Sequence, residues 1–201
     1  MRQHFPAAAF FASLLINGAV LAGGAGLDNV PLQWKPTSVF SEMGTIDLSG
    51  ATITTKIHFD PLVDTRQNPT LVAENREKAD KVRPMTTSTD VAAFVTDHLK
   101  DTVRSAGLSV VDADGEVNVS GEIRKFFVTE DNTYNGEISL MIHVKDGAGK
   151  ELWAGVINGD ATRWGRSYKA ENYCEVMSDM LLRATYNLLS TDGFRAALAK
   201  H

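Results

Sequence analysis

The sequence predicts an α+β domain in which a mostly antiparallel sheet carries two long helices on one face. Two stretches with apolar residues at three- and four-residue spacing, and several runs of strict alternation, support this expectation. The chain has 201 residues, and residues 52–201 are enough for a single domain whose core needs no covalent staple.

The first strand is expected in residues 52–59, where Ile53, Ile57 and Phe59 alternate with polar neighbours and Asp60-Pro61 stops the ladder. Residues 64–87 mix both charge signs with Pro69 and Pro84 and read as a solvated excursion, with room for a short surface helix around 71–81. Val91, Phe94, Val95, Leu99, Val103 and Ala106 then mark an amphipathic helix, with Ser88 or Thr89 as N-cap, Asp90 in its first turn and Gly107 as its stop. A short strand is expected at 108–111. In the next strand Val117, Val119 and Ile123 share one face while Phe126 and Val128 switch parity, which implies a bulge near Lys125. Residues 131–136 end in Asn135-Gly136 and are expected to close a hairpin. Ile138 to Val144 alternate cleanly, and a turn at Asp146-Gly147-Ala148-Gly149 leads into a strand from Glu151 to about Arg163. Val176, Met177, Met180, Leu181, Ala184 and Leu188 form the apolar stripe of a second long helix, broken at Asp192-Gly193 before a short terminal helix. The expected order is β-α-β-β-β-β-α in one domain.

The amino terminus has a different character. A basic head at Arg2 precedes a nearly unbroken apolar run at residues 5–22, and Gly23-Gly24-Ala25 offers a small-x-small exit before Gly26. That order is expected of a secretory signal peptide at residues 1–25, followed by an extended leader at 26–51 with Pro31 and Pro36. Leu21-Ala22-Gly23 also reads as the start of a lipoprotein box, but Gly24 stands where lipidation needs cysteine. No lipidation is therefore expected, and membrane tethering would require cysteine at position 24.

The formal charge of -5 has no basic stripe within it, which argues against nucleic acid as a partner. The single cysteine, Cys174, rules out an internal disulfide. Placed early in the last long helix, it is either a thiol with a depressed pKa or, on the favoured reading, a half-buried structural residue. His58, His98, His143 and His201 lack metal-ligand spacing, and no nucleophile, phosphate-loop or dinucleotide motif occurs, so neither metal nor cofactor is expected. Asp64 and Arg66 are secondary site candidates beyond the first strand. With Asp60 and His58 they leave open an envelope hydrolase or lipid-binding carrier, although two acids and an arginine also make an ordinary ion-paired turn.

The most distinctive segment is Arg163-Trp164-Gly165-Arg166-Ser167-Tyr168. Rigid aromatics beside arginine are typical interface anchors, which makes Arg163, Trp164, Arg166 and Tyr168 candidates for partner binding. The alternative is that Trp164 and Tyr168 fold inward to cap the sheet while the basic groups stay in water.

Several features together resemble the YajG-like bacterial envelope lipoproteins: a signal ending Leu21-Ala22-Gly23, a first strand leading to Asp64-Thr65-Arg66, a helix ending Ala106-Gly107-Leu108, a meander with a Gly149-Lys150 turn and a long final helix. The resemblance implies an exported protein, periplasmic or associated with the outer membrane. It implies no reaction, and so a non-enzymatic accessory role that binds an envelope protein or a cell-wall or lipid component.

Overall fold

The structure is a computed structural model that describes residues 26–38, 43–44, 53–78 and 80–199. The expected signal segment, with Gly24 and its exit site, lies outside the described residues, as do Thr52 and His201.

Eleven elements follow one another: β1 (Ile57–Phe59), β2 (Val63–Asp64), β3 (Leu71–Asn75), β4 (Arg83–Thr86), α1 (Val91–Ser105), β5 (Val110–Val111), β6 (Val117–Glu130), β7 (Thr133–Asp146), β8 (Glu151–Trp164), α2 (Ala170–Ser190) and α3 (Asp192–Ala199). The expected α+β class holds, with the long helices packed on the sheet. All eight strands join one sheet. Its frame is the antiparallel meander β6–β7–β8, three strands of 14 residues each. Along the other side of β6, β1, β2 and β3 lie in succession and parallel to it, opposite residues 117–119, 122–123 and 128–130. β5 extends the sheet beyond β1, and β4 extends it beyond β3.

Residues 64–87 are therefore not a solvated excursion, and no helix forms around residue 71. Val72, Ala73 and Met85 are fully buried, and β3 satisfies its backbone on both sides, against β6 and β4. Few apolar residues suffice here because a strand between two partners meets its hydrogen-bonding needs through the sheet. The charges alternate outward or pair, as Glu74 does with Arg76 at 2.7 Å.

Two local expectations also change. Asp90, not Ser88 or Thr89, caps α1, its extended backbone letting Oδ1 accept from the Ala93 N–H at 3.1 Å. The β6–β7 turn is Asp131-Asn132, closed by the Asp131 carboxylate accepting the N–H groups of Asn132 and Thr133. Asn135 and Gly136 instead pair within the ladder. Gly136 is required by packing, since a Cβ there would lie 2.5 Å from Val176 Cγ1 on α2. The bulge falls between Ile123 and Lys125, as the change of parity requires.

One core joins the sheet and all three helices. Residues 27–37 run across it as a strap. Leu27 bridges Met85, Val30 N–H donates to Thr86 O at 2.9 Å, and Leu32 N–H donates to Thr89 Oγ1 at 2.9 Å. Trp34 stacks on His98 with ring centroids 4.3 Å apart, and Thr37 bonds Asp179 on α2. Among the described residues no helix is long and apolar enough to cross a membrane.

Candidate functional site

The ladder registers align Arg83, Asn75, Glu130, Tyr134 and Arg163 in one row across β4, β3, β6, β7 and β8, at the end of the sheet where β6 turns into β7. Glu130 shares the inward parity of Phe126 and Val128, so its carboxylate is fully buried. A buried carboxylate needs donors. Oε2 accepts the Tyr173 hydroxyl at 2.5 Å, and Oε1 accepts the N–H groups of Ser167 and Tyr168, each at 3.1 Å. Burial works to raise its pKa, but hydrogen bonding led by the Tyr173 hydroxyl and including the Tyr168 N–H outweighs it and holds the carboxyl below its ordinary value. The same burial, with the bond to Glu130, pushes the Tyr173 phenol far up, so it stays protonated. Tyr134 Oη completes the network, 3.0 Å from Ser167 Oγ and accepting from Asn172 Nδ2 at 3.2 Å.

This network pins the link between β8 and α2 from beneath. Gly165 has φ +143°, open only to a residue without Cβ, and Tyr168 holds φ +43°, uncommon for a bulky side chain. Tyr168 is kept there by its N–H on Glu130 and by its hydroxyl, which donates to Pro84 O at 2.8 Å and accepts from Leu27 N–H at 2.9 Å. The Arg83 guanidinium sits over its ring, 4.0 Å from the centroid.

The four candidate anchors therefore separate. Tyr168 turns inward as a brace. Arg163 pairs with the largely buried Glu175 at 2.5 Å. Trp164 points away from the helices and is 83% exposed, so it caps nothing, and exposed Arg166 bonds the Asn132 side chain in the adjacent turn. Glu130 and Tyr173 were missed from the sequence. The available signal was parity, since position 130 continues the buried register set by Phe126 and Val128.

Asp64 and Arg66 form a structural clamp away from this end. The guanidinium bonds both Asp64 oxygens, at 2.7 and 2.9 Å, and donates to the carbonyls of Pro69, Leu71 and Phe126. His58 Nε2 lies 3.5 Å from Asp60 Oδ1. Cys174 is buried, and burial pushes its thiol pKa up rather than down. Among the described residues no cluster of His, Cys, Asp and Glu is arranged to hold a metal.

The arrangement defines a class: an α+β domain with a hydrogen-bonded buried carboxylate under the β8–α2 connector and an exposed tryptophan at the end of β8. No family model matches the chain, and no curated protein does. Solved structures share its fold. A Xanthomonas campestris protein of the DUF330 family superposes with a TM-score of 0.57 at 8% identity, covering 83% of this chain and 95% of its own. An uncharacterised protein superposes at 0.50 and 4% identity, covering 82% and 97%. A minor lipoprotein from Acinetobacter baumannii is more distant, at 0.38 and 8% identity over 69% and 94%.

Proposed function

We propose that this chain is a non-enzymatic accessory domain of the bacterial cell envelope, of the YajG-like lipoprotein type, exported to the periplasm or the outer membrane and acting by contact through Trp164 and Arg166. The observation that carries this reading is Trp164 itself, 83% exposed at the end of β8, where the chain passes into a connector fixed by a buried carboxylate. A large aromatic held rigidly in water binds at low entropic cost, because its ordering is already provided by the fold. The carboxylate beneath it is held by the Tyr173 hydroxyl and two backbone N–H groups, which suits a scaffold better than acid–base chemistry.

The test combines stability with contact. Trp164→Ala is expected to change folding stability by no more than about 0.5 kcal/mol, as at an exposed site, while weakening contact by about 2 kcal/mol or more. A photo-crosslinker at position 164, activated in intact envelopes, should yield adducts. Loss of stability in Trp164→Ala, or no adduct of any kind from position 164, would defeat the reading.

A further inference from the structure

A sheet edge presents backbone donors and acceptors that only another strand fully satisfies. The strap closes the edge at β4, with Leu27 N–H donating to Pro84 O at 3.3 Å, Thr86 N–H to Leu27 O at 2.8 Å and Val30 N–H to Thr86 O at 2.9 Å. β5 is two residues long. β8 differs from both: it runs for 14 residues, and among the described residues it pairs with β7 alone. Asn187 Nδ2 on α2 donates to Asn158 O at 2.8 Å, so the backbone groups of Asn158 point away from β7. The turn bond from Asp146 N–H to Lys150 O sets the same phase, since even-numbered residues of β7 then face β8 and their register partners there are odd-numbered. By alternation the N–H and C=O groups of Ala154, Val156, Asp160 and Thr162 also point outward. Asn187 thus brings to one carbonyl the kind of donor that an added strand would bring to the whole row.

β8 carries few of the features that protect an edge. Residues 151–164 contain no proline and no lysine, and the one irregularity of register lies at the start of the strand, between Glu151 and Trp153. The position of α2 decides what can fill the row. A Cβ on Gly159 would lie 2.2 Å from the α2 backbone, so the helix passes directly over β8. A second copy pairing β8 with β8 about a two-fold axis would set the two α2 helices one strand spacing apart, about 4.8 Å, where packed helices need about 8 to 10 Å. A head-to-tail copy has no comparable edge to offer, because β4 carries the strap and β2 and β5 are two residues each. An extended segment with no helix above it fits.

We propose that the free edge of β8 is a strand-addition site, taking an extended polypeptide segment of another protein through main-chain hydrogen bonds. This rests on the preceding reading of the chain as a domain that acts by contact, and it gives the form of the partner. On the face away from the helices the segment meets Val156, 49% exposed, and the exposed carboxylate of Asp160. It therefore carries an apolar side chain opposite the first and, four positions along, lysine or arginine opposite the second. On the other face it lies beside Gly159 and under the flank of α2, where small side chains fit.

Amide hydrogen exchange on the chain recovered after export should be fast at Ala154, Val156, Asp160 and Thr162 and slow at Gly155, Ile157, Gly159 and Ala161. Slow exchange in the first set would mean that the chain covers its own edge, and would overturn the proposal. A photo-crosslinker at position 160, activated in intact envelopes, should join a single extended segment of a partner protein. Val156→Pro removes an outward N–H and places a ring on the edge, a change that edge strands tolerate. It should lower the adduct about tenfold with melting unchanged, while Val156→Ala, which keeps the N–H, should retain most of it. Thr162→Pro repeats the test at a second outward N–H. Equal losses in the proline and alanine variants would reveal a side-chain contact, and adducts to lipid or to a second copy a different occupant; each of these overturns the added strand. Adducts from position 164 with none from position 160 would leave Trp164 as the contact and remove the strand. Adducts from position 160 with none from position 164 would keep the strand and remove Trp164, and none from either would remove both.

Discussion

Glu130 occupies a position where an ionised carboxylate is sustained only if its lone pairs are filled, and three donors from the β8–α2 link and α2 fill them. Glu130→Gln keeps the shape but brings an amide N–H₂ against groups that donate. We expect a loss of about 2 to 3 kcal/mol in a denaturant titration. Because the folded pKa lies below the ordinary 4.5, the carboxylate's stabilisation is present above that value and is lost as pH falls through the lower folded one. The variant's acid unfolding should therefore lack this step. Arg66 is the second residue of consequence, its side chain mostly buried and shared between Asp64 and three carbonyls. Arg66→Ala should cost about 3 to 5 kcal/mol, because Asp64 would keep its charge without its partner. A melting temperature unchanged by that substitution would show the pair to be free for other work.

Among elements, β8 and α2 are held at a distance set by one glycine. A Cβ on Gly159 would lie 2.2 Å from Met180 O and 2.5 Å from Ala184 N, both helix backbone, which no side-chain rotation can relieve. Gly159→Ala is expected to push α2 off the strand and cost about 2 to 3 kcal/mol by thermal or denaturant unfolding. A neutral result would mean that the helix is not seated on the strand in solution. The strap belongs to the same scale. Trp34 sits on the α1 residues Phe94 and His98, and Lys35 N–H donates to Ser178 Oγ on α2 at 2.9 Å, so one extended segment ties both long helices.

For the molecule as a whole, acid should act in two stages. Burial lowers the pKa of His98 below its ordinary 6.5, only partly offset by Asp101 and Asp97. The unfolded chain therefore takes up that proton first, and stability should begin to decline as pH falls below about 6.5, the decline ending once pH passes the lowered folded value. His98→Gln should flatten the upper stage alone, measured as melting temperature against pH. Export provides a separate whole-chain test, on residues outside those described. The three-part signal pattern predicts that the envelope form begins near Gly26, and its intact mass should show no acyl addition, since Gly24 offers no thiol. A chain still beginning at Met1 would contradict it.

The sequence alone determined what depends on local period: the two long helices, the bulge near Lys125, the turn at 146–149 and the α+β class. Apolar spacing of three to four residues, or of two, can satisfy only one geometry, so neighbours suffice to read it. Tertiary structure decided the rest. β2 and β3 are short strands that exist because β6 offers an open edge, and no local signal distinguishes them from a charged loop, whereas β1 lies within the alternating run at 52–59. The orientation of the 163–168 segment was likewise undecided in the sequence, which allowed Trp164 and Tyr168 to face either way. They separated because Glu130, 37 and 38 residues earlier in the chain, draws the Ser167 and Tyr168 N–H groups inward, and the alternation of β8 then leaves Trp164 on the open side. A buried charge must find its donors wherever the fold brings them, and that requirement is visible only once the strands are side by side.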